Sequence, residues 1–377
     1  MAGIYIHIPF CKQACHYCNF HFSASTKLLD PMVQAICKEI ELQQHFFEAP
    51  NALIDTIYFG GGTPSLLPTD ATAQILETIK KYYNLSPQIE ITLEANPDDI
   101  AKEKLIAFKS MGINRLSMGV QSFVDEDLIW MNRAHRSEAA VQAIELAKEV
   151  GIDNISIDLI YGIPTLTDQN WIQNINKAVA LEVQHLSCYA LTVEPKTPLN
   201  ALILKGEKED IDTAKQAIHF ELLTKHAAQA GYEHYELSNL ALPGYRSKHN
   251  TSYWQQKKYL GIGPSAHSFT GSSRQWNIAN NALYISSIEK GIVPFESETL
   301  SLATQYNEYI MTSLRTMEGC SYAYVHEKFG DNAVSRTKKI AAHYIDKGQL
   351  MEQEKNLIAT AQGKFFLDGI AADFFEV

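Results

Sequence analysis

The sequence predicts an α/β fold: a partial TIM-like (β/α) barrel of about six units, followed by a small C-terminal winged-helix-like α/β domain. Strand and helix signals alternate over roughly the first 240 residues, which indicates parallel strands joined by right-handed crossovers. Six or seven such units exceed half of an eight-unit barrel. An open or partial barrel is therefore favoured over a flat doubly wound sheet.

The barrel elements follow one another in a regular order. The predicted strands are short β-branched or apolar runs, and the predicted helices carry apolar residues at three- and four-residue spacing. Gly112 and Gly151 follow two of the helices, as C-terminal caps do. The strands are 3–8, 54–59, 89–94, 115–119, 155–159, 185–190 and 232–237, and the helices between them are 30–45, 69–83, 100–111, 137–150 and 170–181.

The regular alternation of strand and helix signals ends after the barrel. The sequence therefore predicts a chain of three parts. Residues 1–240 form the barrel core, 241–300 a connecting region with loops, and 301–377 the C-terminal domain. The last part holds 8 Lys+Arg and 10 Asp+Glu, so a protein or ligand surface is favoured over DNA binding. Its predicted elements are helices 304–316, 322–329 and 332–347 and strands 350–351 and 357–359.

Composition excludes several protein classes. With 46% hydrophobic and 20% charged residues among 377, the chain is typical of folded proteins rather than disordered ones. The 32 basic and 43 acidic residues give a net charge of −11, which disfavours a general nucleic-acid binder. No run of 18 apolar residues predicts a membrane span. The N-terminus resembles a strand rather than a signal peptide, so a cytoplasmic location is expected.

Three of the six cysteines form a compact motif. Cys11, Cys15 and Cys18 lie directly after the first strand with C-x3-C-x2-C spacing. Thiolates are soft ligands, and three of them on one loop can bind three irons of a cubane while the fourth iron stays open. The alternative is a structural zinc site with a histidine as the fourth ligand. The candidate histidines are His7, His16 and His21.

A glycine-rich loop, Gly-Gly-Gly-Thr-Pro at 60–64, follows the strand 54–59. Glycine lets a backbone approach a ligand closely, so exposed N–H and C=O groups can hold an amino-acid-like group. The alternative is a tight strand-to-helix turn. Polar residues recur at or after the ends of other strands, where barrel active sites lie. They are Glu94, Gln121, Arg133 and Asp158.

Together these motifs resemble the radical S-adenosylmethionine (SAM) superfamily. More closely, the chain resembles the oxygen-independent coproporphyrinogen III oxidase-like family, on the stretches 5–10, 116–123 and 157–164 and nearly end to end. The resemblance implies a [4Fe-4S] cluster on the three cysteines, SAM on the open iron, and a reductant, since reduction can cleave SAM. The residues that resemble SAM contacts are Tyr5, Tyr17, Gly61, Gly62, Thr63, Glu94, Gln121, Arg133, Asp158 and Ala190.

This family contains an oxidase class and a heme chaperone class. The resemblance implies that the oxidases carry a C-x3-C-x2-C-x-C motif after a longer N-terminal extension. In this chain Phe20 takes the place of the fourth cysteine, and ten residues precede the motif. Residues 249–254 match the H-N-x-x-Y-W pattern of the chaperone branch. Imidazole is a common axial ligand of heme, although ordinary aromatic packing is the alternative. The heme-motif residues are His249, Asn250, Tyr253 and Trp254, with His267 as a secondary candidate ligand.

The sequence therefore predicts a protein that carries heme to acceptor proteins, with respiratory enzymes implied by the resemblance. Delivery would include peripheral association with the membrane. Oxidation of coproporphyrinogen III is the alternative function. No catalytic residue is assigned.

Overall fold

The computed structural model describes residues 2–47 and 52–376. Its first part alternates strands and helices as predicted. The bounds are β1 Ala2–Ile8, α1 Leu29–Leu42, β2 Leu53–Gly61, α2 Thr69–Tyr82, β3 Asn84–Ala95, α3 Lys102–Ser110, β4 Arg115–Gln121, α4 Asp125–Trp130, α5 Ser137–Glu149, β5 Ile155–Tyr161, α6 Asp168–Ala180 and β6 His185–Ala190.

The six strands pair in chain order, each parallel to the next, from β1 to β6. Parallel neighbours in chain order place every helix on one side of the sheet, which curves it into part of a barrel. The predicted partial barrel of six units is confirmed. Because the strands are parallel, all six carboxyl ends lie at one edge.

Local sequence explains these elements. In α6, buried Trp171, Ile175 and Ala178 recur at helical spacing, and the Thr167 side chain caps the first turn by accepting from the Asn170 amide at 3.2 Å. In β4, Leu116 and the alternate residues after it are fully buried against the helices. The other face of β4 carries small and polar residues, which leaves room inside the barrel.

The next part extends both edges of the barrel sheet. β9 pairs parallel with β1, and β8 pairs antiparallel with β6. Its bounds are α7 Pro198–Leu204, α8 Thr213–Gln229, β7 Glu233–Glu236, β8 Asn239–Ala241, α9 Lys248–Trp254, β9 Tyr259–Ile262, β10 His267–Phe269, β11 Ser273–Asn277, α10 Asn281–Glu289 and β12 Phe295–Thr299.

The expected loop-rich connection thus contains regular structure, with three strands and two helices between residues 243 and 295. These strands are only 3–5 residues long, and Ser273–Asn277 carries mostly polar side chains. Strands this short and polar lack the apolar run, or the alternation of apolar and polar residues, from which a strand is predicted in a sequence. The boundaries at residues 240 and 300 stay predictions.

The C-terminal part has its own hydrophobic cluster, centred on Ile310, Val325, Leu357 and Phe374. Its three-stranded sheet has the order β13-β15-β14, and the hairpin turn uses positive φ at Glu354 and Lys355. The predicted helix-helix-wing order is present, and a terminal helix is added. The bounds are α11 Leu302–Leu314, β13 Cys320–Ser321, α12 Tyr322–Phe329, α13 Asp331–Asp346, β14 Leu350–Gln353, β15 Asn356–Ala359 and α14 Leu367–Asp373.

A buried glutamate joins the barrel to its added strands. Glu39 of α1 is fully buried, and its carboxylate accepts from the Gly263 amide at 2.8 Å, from Asn277 Nδ2 at 2.7 Å and from the Tyr284 hydroxyl at 2.5 Å. Burial raises the pKa of Glu39 to about 7, an effect that these hydrogen bonds partly offset. One side chain therefore satisfies donors from three separate segments.

We expect Glu39→Ala to lower the free energy of unfolding by about 3 kcal/mol or more, because buried donors lose their acceptor. Urea unfolding monitored by circular dichroism measures this change. The control is Glu77→Ala, whose side chain is 70% exposed and pairs with Lys80 on α2. That control should change stability by no more than about 0.5 kcal/mol. A similar loss in both variants contradicts the assigned role of Glu39.

Candidate functional site

A cavity of about 1580 Å³ lies at the carboxyl ends of the barrel strands. The structure places all thirteen residues predicted for the cluster and for SAM on its walls. They are Cys11, Cys15, Cys18, Tyr5, Tyr17, Gly61, Gly62, Thr63, Glu94, Gln121, Arg133, Asp158 and Ala190. The predicted residues therefore converge on one site.

The cysteine loop between β1 and α1 is held from several directions. The Asn132 side chain donates to the Ala14 carbonyl at 2.9 Å, and the Leu199 amide donates to the His16 carbonyl at 2.8 Å. The Lys12 ammonium pairs with Asp98 at 3.0 Å and with Asp99 at 2.7 Å. The thiols are thus positioned by segments far away in the sequence.

The glycine-rich loop is hydrogen-bonded to the start of the cysteine loop. The Gly62 amide donates to the Ile8 carbonyl at 2.8 Å, and the Thr63 amide donates to the Phe10 carbonyl at 2.7 Å. A Cβ atom on Gly62 would lie 2.5 Å from the Phe10 oxygen. Gly61 has φ +107°, and a Cβ there would lie 2.6 Å from the His7 ring. Both positions require glycine, so the two loops form one rigid unit.

Arg133 connects the cysteine loop to two strand ends. Its Nη1 lies 3.2 Å from Cys15 Sγ, while Nη2 donates to Asn96 Oδ1 at 2.6 Å and to the Gly119 carbonyl at 2.8 Å. Asn96 Nδ2 in turn donates to Thr63 Oγ1 at 3.1 Å. The guanidinium therefore places a positive charge beside the thiols, where an electron-rich cluster gains most from it.

Two carboxylates face the interior of the barrel. Burial raises the pKa of Glu94 to about 7, and the nearby charge of Asp158 adds to this effect. Burial raises the pKa of Asp158 to about 6, and Ser187 partly offsets it. The Tyr58 hydroxyl donates to Glu94 Oε1 at 2.8 Å. Partly buried carboxylates on a cavity wall are strong acceptors for ligand hydroxyl groups.

Arg115 lies in the same cavity, although no motif in the sequence singles it out. This residue at the start of β4 is only 1% exposed and reduces the pKa elevation of both Glu94 and Asp158. Its Nε has no hydrogen-bond partner within the described ranges. A charge at the beginning of a strand looks like a surface residue in the sequence, so only its inward direction reveals its role.

The donor set of the three thiols suits an iron-sulfur cluster, because thiolates are the ligands that such clusters use. Burial and the neighbouring thiols raise the pKa of Cys11 to about 11, so metal binding must displace its proton. Across residues 2–47 and 52–376, no three His, Cys, Asp or Glu side chains are placed to share one metal ion. In a cubane each thiolate binds a different iron, so the sulfurs need not meet at one point.

Two of the three histidines proposed for zinc, His7 and His21, are hydrogen-bonded to other groups. His7 contacts the Tyr5 hydroxyl at 3.1 Å through Nδ1 and the His21 carbonyl at 3.0 Å through Nε2. His21 Nε2 contacts Asn281 Oδ1 at 2.8 Å. His16 Nδ1 is buried without a hydrogen-bond partner in the described chain, and burial lowers its pKa. Nothing in these contacts directs His7 or His21 toward the thiols.

Most of the heme motif lies outside the cavity lining, and His249 packs toward the amino-terminal end of the barrel. His249 is 1% exposed, with Nδ1 2.8 Å from Thr56 Oγ1 and Nε2 2.8 Å from the Tyr253 hydroxyl. Its ring stacks on Tyr58 at 5.0 Å, and burial lowers the pKa of His249 to about 3. Among the motif residues, Asn250 lines the cavity.

The other heme-motif side chains pack in the same region. The Arg315 guanidinium lies 5.9 Å from the Trp254 ring centroid, and Trp254 Nε1 has no hydrogen-bond partner in the described part of the chain. His267 is exposed and stacks on Trp276 at 6.2 Å. Both nitrogens of His249 are already hydrogen-bonded, so iron ligation by this histidine stays a prediction that requires a rearrangement.

The far wall of the cavity comes from the C-terminal domain and carries aromatic side chains that the sequence did not single out. Phe366 is 55% exposed and Phe365 is 38% exposed, although Phe365 also contacts Phe220 with centroids 4.9 Å apart. Phe20 of the cysteine loop, at 67%, and Tyr189, at 44%, line the same cavity. Four exposed aromatic residues around one cavity are typical of a binding surface for a large apolar ligand.

Comparison with known proteins identifies close relatives. The sequence model of the Radical SAM superfamily matches residues 5–178. The chain is 34% identical to the heme chaperone HemW of Bacillus subtilis, over 97% of this chain and 96% of that protein. It is 35% identical to the heme chaperone HemW of Escherichia coli, over 70% of this chain and 69% of that protein.

Among solved structures, the fold is similar to that of coproporphyrinogen III oxidase (HemN) from Escherichia coli, described as a radical SAM enzyme. The TM-score is 0.85 over 99% of this chain and 90% of that chain, with 21% sequence identity. At this identity the likeness shows the fold alone. It confirms the barrel together with the C-terminal domain.

Proposed function

Because the chain belongs to the radical SAM superfamily and, within it, to the family of the heme chaperone HemW proteins, we propose that it binds heme and delivers it to acceptor proteins. Membership of the superfamily implies a [4Fe-4S] cluster and SAM.

Cys11, Cys15 and Cys18 are the proposed ligands of the cluster. They lie on one loop beside the Arg133 guanidinium, and this donor set suits iron and sulfide. When bound, the cluster supplies an open iron that can coordinate and reduce SAM. The chain itself holds the thiols in place through the contacts of the cysteine loop.

SAM is proposed to bind across the strand ends next to that loop. The backbone at Gly61 and Gly62 allows a close approach, and Thr63 lies within hydrogen-bond distance of Asn96. Glu94 and Asp158 offer acceptors for ribose hydroxyl groups, and both lie on the cavity wall. The Tyr17 backbone and Ala190 are proposed at the adenine.

The observation that carries the heme proposal is the aromatic wall of the cavity, formed by Phe20, Tyr189, Phe365 and Phe366. A macrocycle is flat and apolar, and aromatic rings stack on it. The volume of about 1580 Å³ exceeds that of an ordinary small-molecule site, so a second large ligand fits beside SAM. Phe20 contributes to this wall. It occupies the position of the fourth cysteine in the motif of the oxidase class.

The acceptors are proposed to be heme-requiring respiratory proteins, reached by peripheral association with the membrane. Within the described ranges, no helix is long and apolar enough to cross a bilayer.

The test is anaerobic hemin titration of the reconstituted protein, with a parallel assay of coproporphyrinogen III turnover. We expect a Soret shift with wild-type protein and at least about tenfold weaker binding in Phe366→Ser, because a stacking face is lost. Phe295→Ser is the matched control, since Phe295 is 47% exposed but lies outside the cavity. Robust turnover, or equal hemin binding in the two variants, contradicts the proposal.

A further inference from the structure

The cavity has an uneven distribution of charge. Its barrel side carries five carboxylates, Glu94, Asp98, Asp158, Glu194 and Glu221, against the three cations Lys12, Arg115 and Arg133. Lys12 is already paired with Asp98 and Asp99, so the excess of carboxylates disfavours an anionic group on this side. The wall from the C-terminal domain instead carries three cations, Arg315, Lys347 and Lys364, together with Asp368 and Asp373. An anionic edge of a ligand is therefore favoured on the side of the C-terminal domain.

The charged groups of that wall differ in their partners. Arg315 pairs with Asp368, and the Tyr344 hydroxyl donates to Asp373. Neither Lys347 nor Lys364 has a carboxylate within ion-pair distance in the residues that the structure describes. Two of the three cations are thus available to a ligand.

Lys364 is the more constrained of the two lysines. It is partly buried, and its Nζ lies 3.1 Å from Nδ1 of His234. Burial lowers the pKa of His234 to about 4, so this partner is a neutral acceptor. Burial also lowers the pKa of Lys364, although the nearby Glu236 opposes this effect. A partly buried ammonium without a bonded anion is costly, and an anionic ligand would relieve that cost.

The two lysines flank aromatic surface. Lys364 directly precedes Phe365 and Phe366, and the Lys347 ammonium lies 5.7 Å from the Tyr344 ring centroid. Both lysines and both phenyl rings line the same wall, so a ligand that stacks on the rings shares this wall with the two ammonium groups. The arrangement suits a flat apolar molecule with two carboxylates on one edge.

We propose that Lys347 and Lys364 form a lysine pair that binds the two propionate carboxylates of heme, with the macrocycle against Phe365 and Phe366. This inference rests on the proposed function and assigns it an orientation. The porphyrin edge with the propionates points to the C-terminal domain, and the opposite edge points to the cysteine loop.

The experiment compares hemin with hemin dimethyl ester, which keeps the macrocycle and removes both negative charges. The reconstituted full chain is titrated anaerobically as wild type, as Lys347→Gln/Lys364→Gln, and as Lys364→Arg. We expect the double variant to bind hemin at least about tenfold more weakly and the ester with less than about twofold change. Lys364→Arg should retain hemin binding, because the positive charge remains.

A control variant is Lys338→Gln, since Lys338 lies over the Tyr322 ring outside the cavity and should not affect either ligand. Unchanged hemin affinity in the double variant overturns the lysine pair. Equal weakening of hemin and ester also overturns it, because the loss would then not depend on the carboxylates. A wild-type chain that binds neither compound overturns the proposed function itself.

Discussion

Replacement of Cys15 by serine is expected to give a folded chain without a [4Fe-4S] cluster. A hydroxyl is a harder and far less acidic donor than a thiol, so it does not replace a thiolate on iron. Arg133 Nη1, which lies 3.2 Å from the sulfur, would then face a neutral oxygen. Iron and sulfide assays after anaerobic reconstitution should fall from about four of each per chain to near zero.

The matched control is Cys37→Ser. Cys37 is half-buried on α1 and lies outside the cavity, so its loss should leave the iron and sulfide content unchanged. Retention of a full cluster in Cys15→Ser would show that another residue is the third ligand. Zinc without iron in the wild-type protein would restore the zinc interpretation.

Replacement of Gly62 by valine is expected to abolish SAM binding and to impair the cluster in the same protein. Even the first carbon of the side chain would lie 2.5 Å from the Phe10 oxygen and 2.8 Å from the Ile8 oxygen. Those atoms are backbone, so the glycine-rich loop and the cysteine loop must separate. We expect SAM affinity to fall at least about a hundredfold, measured by equilibrium dialysis.

Gly112→Ala provides a control for glycine replacement in general. Gly112 has φ +100°, and a Cβ there would meet only Ile91 at 3.8 Å. This substitution should cost about 1 kcal/mol of stability through backbone strain and leave SAM binding intact. Normal SAM affinity in Gly62→Val would contradict the rigid unit of the two loops.

Local motifs and parallel topology made most of the site predictable. The cysteine loop follows β1 and the glycine-rich loop follows β2, and parallel strands bring their carboxyl ends to one edge. Glu94 on β3 and Asp158 on β5 lie on either side of β4 in the same sheet. The register aligns Glu94 with Ser117 and Ser117 with Ser156, so the two carboxylates end up at a similar level of the barrel. The location of each of these residues could be predicted from the fold class and from its position along a strand.

The remaining features depend on contacts that a sequence pattern does not record. His249 belongs to a short helix whose motif predicted heme binding, yet its side chain packs against Thr56 and Tyr58 and does not line the cavity. Phe365 and Phe366 join the site only because the C-terminal domain packs against α8 and the β7–β8 hairpin beside the cavity. Such placements are set by packing between segments that are distant in sequence.

The anchoring of the cysteine loop constrains the order in which the protein matures. Lys12 is held by Asp98 and Asp99, and the His16 carbonyl is held by the Leu199 amide. During synthesis on the ribosome, these anchors emerge long after the thiols themselves. Iron and sulfide inserted into the nascent chain would meet an unformed loop, so cofactor insertion belongs after translation has passed residue 199.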